Sequence, residues 1–154
     1  MKSTIIILLV LWIPVLFFAQ AEKIKMKAEY SSDDQVVTDL LYFEKVDYFR
    51  LYLTNPELKG KRYRLISKEI WDGKIIAVDS LVNTISDKRF DGLASDTLRI
   101  RVIAKKTKEQ EIKFQFIFPK FRFAKFYKAS NSDDYSLRGT GTKFDIEFNK
   151  PFYA

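Results

Sequence analysis

Side chains that change character at every second residue constrain this chain more than any other feature it has. Ile24, Met26, Ala28 and Tyr30 alternate with Lys23, Lys25, Lys27 and Glu29, and Phe49, Leu51 and Leu53 alternate with Tyr48, Arg50 and Tyr52. The same period returns in Leu98, Ile100, Val102 and Ala104, in Phe114, Phe116 and Phe118, and in Phe144, Ile146 and Phe148. A strand sends successive side chains to opposite faces, so this pattern builds sheets with one apolar and one wet face. Past residue 21 no segment sustains a helical stripe of apolar residues at i, i+3, i+4 and i+7. The nearest approach is Asp34 to Phe43, with room for one or two turns.

The breaks between these segments are turn formers. Asp72-Gly73 separates Tyr63–Trp71 from Lys74–Val82, and such a pair makes a hairpin because both central positions need positive φ. A regular ladder from that turn sets Trp71 opposite Lys74, Glu69 opposite Ile76 and Leu65 opposite Ser80. The polar run Lys105–Gln110 is expected to connect strands that end near Ala104 and begin near Glu111. Asn55-Pro56 and Lys59-Gly60-Lys61 punctuate the approach to Tyr63. At Pro119-Lys120 the apolar parity switches from even (Phe114, Phe116, Phe118) to odd (Phe121, Phe123). A tight turn there puts all five rings on one face; a kinked edge strand would equally suit a proline with no N–H to donate. Short strands at regular spacing predict an all-β fold. The expected form is a single-domain antiparallel β-sandwich, immunoglobulin-like or jelly-roll, of seven to eight strands over residues 22–154.

Residues 1–21 read differently. Lys2 precedes an apolar run of 15 residues, Ile5 to Ala19, followed by Gln20-Ala21. A membrane span takes about 20 apolar residues, and Pro14 interrupts this run. A basic start, a short apolar core and small residues at 19 and 21 describe a secretory signal peptide, cleaved before Glu22 or alternatively before Gln20. The absence of cysteine closes lipid attachment at a cleavage-site Cys, and it removes the disulfides that staple most small exported eukaryotic domains. A bacterial periplasmic or secreted protein, with no integral span after signal removal, is the expectation. With 14 Phe and 8 Tyr, an apolar core alone is asked to hold the fold.

The chemistry on offer is narrow. Without His or Cys there is no Ser-His-Asp or Cys-His catalysis, no imidazole base and no typical zinc or haem site. Gly139-Thr140-Gly141 lacks the lysine and helix of a phosphate loop, so no cofactor is expected. Ser31-Ser32-Asp33-Asp34 and Ser132-Asp133-Asp134-Tyr135 carry oxygens that suit Ca²⁺ but not the spacing of its loop; they read as turns. Asp145-Ile146-Glu147-Phe148 resembles part of the Glu-x-Asp-x-Glu strand signature of family 16 glycoside hydrolases. That resemblance implies a jelly-roll fold and an acid/base at Glu147, but Lys143 stands where the family has its nucleophile. Retaining glycosidases need two placed carboxylates, so a solvated strand face is the expected reading.

Charge supplies the remaining lead. Setting Lys2 aside leaves 26 of the 27 basic residues against 20 acidic ones, a balance of +6, which favours anionic partners. Lys113–Lys128 holds seven aromatic and five basic residues, and no acid occurs from Ile112 through Ser132. Alternation alone would send its rings to the core and its charges to water. Phe126 and Tyr127 are adjacent, however, and cannot both point inward. The candidate binding residues are therefore Lys120, Arg122, Lys125, Phe126, Tyr127 and Lys128, together with Tyr48, Arg50 and Tyr52 on the polar side of their strand. A polyanion binder would set Lys120, Arg122, Lys125 and Lys128 on one face beside an exposed ring. The functional expectation is an exported, non-enzymatic binding or structural module of a bacterial envelope that contacts a protein or an anionic polysaccharide, not nucleic acid. A carboxylate-based glycan hydrolase is the second reading, and a small barrel carrying an apolar ligand is the third.

Overall fold

The computed structural model describes residues 23–108, 110–130 and 146–153. The predicted signal peptide and residues 132–135 and 143–145 lie outside them. The described residues form seven strands: β1 (Lys25–Tyr30), β2 (Val46–Thr54), β3 (Arg64–Trp71), β4 (Lys74–Asn83), β5 (Thr97–Lys108), β6 (Glu111–Ile117) and β7 (Arg122–Lys128). One helix, α1 (Gln35–Phe43), joins β1 to β2, and a 3-10 turn spans Pro56–Leu58. The strands form two antiparallel sheets, one of five in the order β1-β2-β5-β6-β7 and one of two, β3-β4. The fold is all-β, and the β3-β4 hairpin is inserted between two strands, β2 and β5, that are neighbours in the larger sheet.

The apolar parity of each strand decides which face it buries. Phe49, Leu51 and Leu53 of β2 pack with Leu98 and Ile100 of β5, and the core extends to Leu58, Val82, Phe118 and Ile146. Leu65, Leu81 and Tyr63 bring the hairpin onto this cluster. The two sheets also meet through polar contacts: Tyr127 Oη hydrogen-bonds Ser67 Oγ at 3.0 Å, and Lys125 Nζ donates to Asp79 Oδ2 at 2.7 Å. The far side of the hairpin stays in water with Ile66, Ile70, Ile75 and Val78 exposed. Asn55, at the corner leading out of β2, and Thr84, just past β4, are fully buried and hydrogen-bonded. Asn55 Oδ1 accepts from Glu57 N at 2.7 Å, while Thr84 Oγ1 accepts from Tyr63 N at 2.8 Å and donates to Tyr63 O at 3.0 Å. A buried polar group costs stability unless it is paired in this way.

The turn at Pro119-Lys120 is tight: Phe118 N donates to Phe121 O at 2.8 Å, and Phe116 lies directly opposite Phe123. All five rings therefore share the inner face, with Phe118 stacked on Phe121 at a centroid distance of 4.6 Å. The helix also falls where the sequence left room for it. Asp34 caps it by accepting from Val37 N at 3.1 Å, and the Thr38 hydroxyl ties it back by donating to Ser32 O. Its outer side carries Leu40 and Phe43, 58% and 80% exposed.

Two expectations are corrected. The Asp72-Gly73 turn forms with positive φ at both residues, and Trp71 faces Lys74. Two bulges then shift the ladder, so Glu69 faces Ala77 rather than Ile76, and Leu65 faces Val82 rather than Ser80. Each bulge inserts one β4 residue and brings a different side chain inward. The run Lys105–Gln110 is mostly strand, because β5 continues to Lys108 and pairs Lys105 with Lys113 and Lys108 with Glu111. Of the predicted strand around Ile146, the described residues show a single bridge from Ile146 to Ile24.

Candidate functional site

The larger sheet turns one face to the core and one to solvent, and the solvent face gathers mainly positive charge. β1 contributes Lys25, Lys27 and Glu29; β2 contributes Tyr48, Arg50 and Tyr52; β5 contributes Arg99, Arg101 and Lys105. β6 adds Lys113 and Glu111, and β7 adds Arg122, Phe126 and Lys128. The ladders fix how these meet. Glu29, Arg50, Arg101 and Ile117 form one row across four strands, and Lys27, Tyr52 and Arg99 form the next. Strands lie about 4.8 Å apart, so the β2 and β7 leads sit about 14 Å from one another on a continuous surface.

Two positions place like charges directly opposite: Arg50 faces Arg101, and Lys105 faces Lys113. Such pairs destabilise a sheet, and the protein offsets only part of the cost. Arg50 is held as a fork, with Nη1 and Nη2 donating to the two carboxylate oxygens of Asp33 at 2.8 Å each and Nη2 lying 3.3 Å from Glu29. Lys105 pairs with Glu44 at 2.8 Å. Among the described residues Arg99, Arg101, Lys113 and Arg122 make no ion pair. Arg99 lies over the Tyr52 ring at 5.2 Å, Lys113 over Phe126 at 5.9 Å and Arg50 over Tyr48 at 5.9 Å. Rings thus stand beside cations across the face. The hydrogen bonds from Arg50 hold the Asp33 carboxyl below its usual range, and the same contact raises Arg50 against the opposing effect of burial. Its Nε is buried without a partner in the described structure.

The structure separates the residues singled out in the β7 segment. Arg122 and Lys128 flank Phe126, which is 56% exposed, on the solvent face. Lys125 and Tyr127 point the other way, to Asp79 and Ser67 of the hairpin, and the Asp79 hydrogen bond raises the Lys125 pKa. Lys120 sits in the turn. Lys128 bends its ammonium over the Trp71 ring at 5.3 Å. The expected row of four lysines and arginines is therefore two, since parity puts Lys125 with Phe121 and Phe123. In exchange Tyr48, Arg50 and Tyr52 share the face with Arg122 and Phe126, joined by Arg99, Arg101 and Lys113. Their alternation with Leu98, Ile100 and Phe114 already marked these three as outward, but strand neighbours were not visible in it.

Where β6 stops at Ile117, opposite Arg101, the lower part of β5 loses its neighbour and a cavity of about 310 Å³ remains. It is lined by Ser95, Thr97, Arg99, Arg101, Ile117, Phe118 and Pro119. A second cavity of about 90 Å³ shares Ser95, Thr97, Phe118 and Pro119 with it and is lined further in by Tyr63, Phe90, Leu93 and Phe121. Neither is lined by a carboxylate. Glu147 is exposed and pairs with Lys150 at 2.7 Å, while Asp145 lies outside the described residues. Asp33 and Asp34 serve Arg50 and the helix cap, and no group of three metal-ligating side chains occurs among the described residues. Comparison with protein-family models, with curated proteins and with solved structures returns no match.

Proposed function

We propose that this protein is an exported, non-catalytic module of the bacterial envelope whose basic sheet face holds an anionic polysaccharide. The observation that carries the reading is the like-charge opposition of Arg50 to Arg101 and of Lys105 to Lys113 on a face where tyrosine and phenylalanine rings stand between the cations. Folding alone disfavours such pairs, whereas a ligand carrying a negative charge on every sugar would relieve both, and rings offer flat surfaces to the sugars. The sequence of residues 1–21 supports export, and no described helix is long and apolar enough to cross a membrane. The apolar-carrier reading gains less support, because the larger cavity is bordered by two arginines and the apolar one measures only about 90 Å³.

The test is binding of the exported protein to polygalacturonate and heparin, with uncharged dextran and single-stranded DNA as comparison arms. Both acidic polysaccharides are expected to bind, dextran is not, and raising salt from about 50 to 200 mM should weaken binding about tenfold or more. Salt-insensitive binding, or DNA held as tightly as the polysaccharides, would overturn the reading. Export is checked by fractionation and intact mass, which should place the N-terminus at Glu22 or Gln20.

A further inference from the structure

The geometry points to the notch beside Arg99 and Arg101 as the subsite that takes one negatively charged sugar residue. This inference rests on the polysaccharide reading and adds to it where a single unit is gripped. The notch exists because β5 begins at Thr97 while β6 ends at Ile117, four positions short of covering it. Residues Thr97 to Ile100 are laddered to β2 on one side only. The chain leaves β6 through Phe118-Pro119, which bounds the opening. The volume, about 310 Å³, falls at the lower end of the range for small-molecule sites, about 300–1,000 Å³.

Its chemistry is polarised. Arg99 and Arg101 make no ion pair among the described residues, and a guanidinium offers two parallel N–H donors that match a carboxylate or a phosphate. Arg99 is backed by the Tyr52 ring at 5.2 Å. At the other end the opening is lined by Ser95 and Thr97, two uncharged hydroxyl residues. The charged group therefore belongs at the arginines and the sugar hydroxyls toward Ser95 and Thr97. Ile117 and Pro119 supply an apolar wall for the C–H side of a sugar ring. The adjoining cavity of about 90 Å³, reached past Phe118, has room for a short substituent such as an acetyl group.

The shared ligand chemistry is an anionic sugar, and the arms of the test separate carboxylate from phosphate. The exported protein is titrated by amide NMR with galacturonate, with glucose 6-phosphate and with glucose. At least one charged sugar is expected to shift Thr97, Arg99, Arg101 and Ile117 together, with Kd on the order of 1 mM, while glucose shifts none of them. The double variant Arg99→Gln, Arg101→Gln should lose this response at least tenfold. The double variant Lys74→Gln, Lys88→Gln, which removes the same charge from exposed positions outside this face, should keep it. Shifts scattered over the lysines, equal loss in both variants, or no response into tens of millimolar would each overturn the subsite. If the polysaccharides still bind while the notch fails, the face reading stands. If charged sugars shift the notch while no polysaccharide binds, only the polysaccharide reading falls.

Discussion

Replacing Phe118 by Ala asks how much of the stability rests on the stacked rings at the β6–β7 turn. The side chain is 4% exposed, and its ring lies 4.6 Å from Phe121, 6.0 Å from Phe123 and 6.1 Å from Tyr63. Truncating a buried Phe to Ala costs about 3–5 kcal/mol, the upper end applying where the surroundings cannot collapse into the space. Collapse is restricted here. The turn is pinned by the Phe118 N–H to Phe121 O bond, Phe123 is laddered opposite Phe116, and Tyr63 is tied through its backbone to Thr84. A loss of about 4 kcal/mol or more is therefore expected, a large part of the roughly 5–15 kcal/mol that such domains possess. Phe118→Leu retains most of the volume and should cost about 1–2 kcal/mol. Phe126→Ala, on the solvent face, should stay within about 0.5 kcal/mol of wild type. The assay is urea unfolding followed by far-UV circular dichroism, with unchanged slope as the condition for comparing midpoints. A Phe118→Ala cost no larger than that of Phe126→Ala would refute the reasoning, since it would mean the column is not a packed core.

Other outcomes rest on other parts of the structure. Gly92 has φ +93 and packs against the Gly60 backbone, so Gly92→Ala should cost well over about 1 kcal/mol; Gly73→Ala, with open space around it, should cost only its φ strain, and equal unfolding midpoints would contradict this. Burial raises the Tyr63 pKa from 10.0 to about 12. The neutral phenol is thus favoured in the folded state, and the stability it contributes, complete below its unfolded pKa, is lost as pH rises through about 12. Tyr63→Phe should flatten that alkaline limb in urea midpoints measured against pH. The hydrogen bonds from Arg89 lower the Asp87 pKa to about 2, so its contribution is present above the unfolded carboxylate pKa and lost as pH falls toward 2. Carboxyl NMR titration should find Asp87 near that value in wild type and clearly higher in Arg89→Gln, still below the ordinary range because the residue-89 N–H keeps donating to Asp87 Oδ1.

Some of the fold was legible because the relevant physics is local. The parity of Phe49, Leu51 and Leu53 follows from strand stereochemistry, and Asp72-Gly73 needed only its own φ angles to become a turn. The parity switch at Pro119-Lys120 left a tight turn and a kinked edge strand open, and the turn is the one that forms, with five rings on one face. Half of the site was legible for the same reason: Tyr48, Arg50, Tyr52, Arg122 and Phe126 are outward by alternation. Lys125 leaves the expected basic row because its odd position, like that of Tyr127, shares the parity of Phe121 and Phe123 and turns it to the hairpin. The hairpin bulges at Glu69/Ile70 and Leu65/Ile66 were invisible, because an inserted residue is chosen by which side chain best meets the opposite sheet.

By itself the sequence determined which residues β1, β2, β5 and β6 bury, where the chain reverses at Asp72-Gly73, and that the outward side chains are mainly basic. Tertiary structure alone decided that β2 lies beside β5 with Arg50 against Arg101, and that β6 ends early enough to open a notch at Arg99. The reason is physical: backbone ladders are alike whatever residues they join. Strand partners are therefore selected by the packing of Leu51, Leu98, Phe118 and their neighbours as a whole, a sum over distant residues that no local pattern contains.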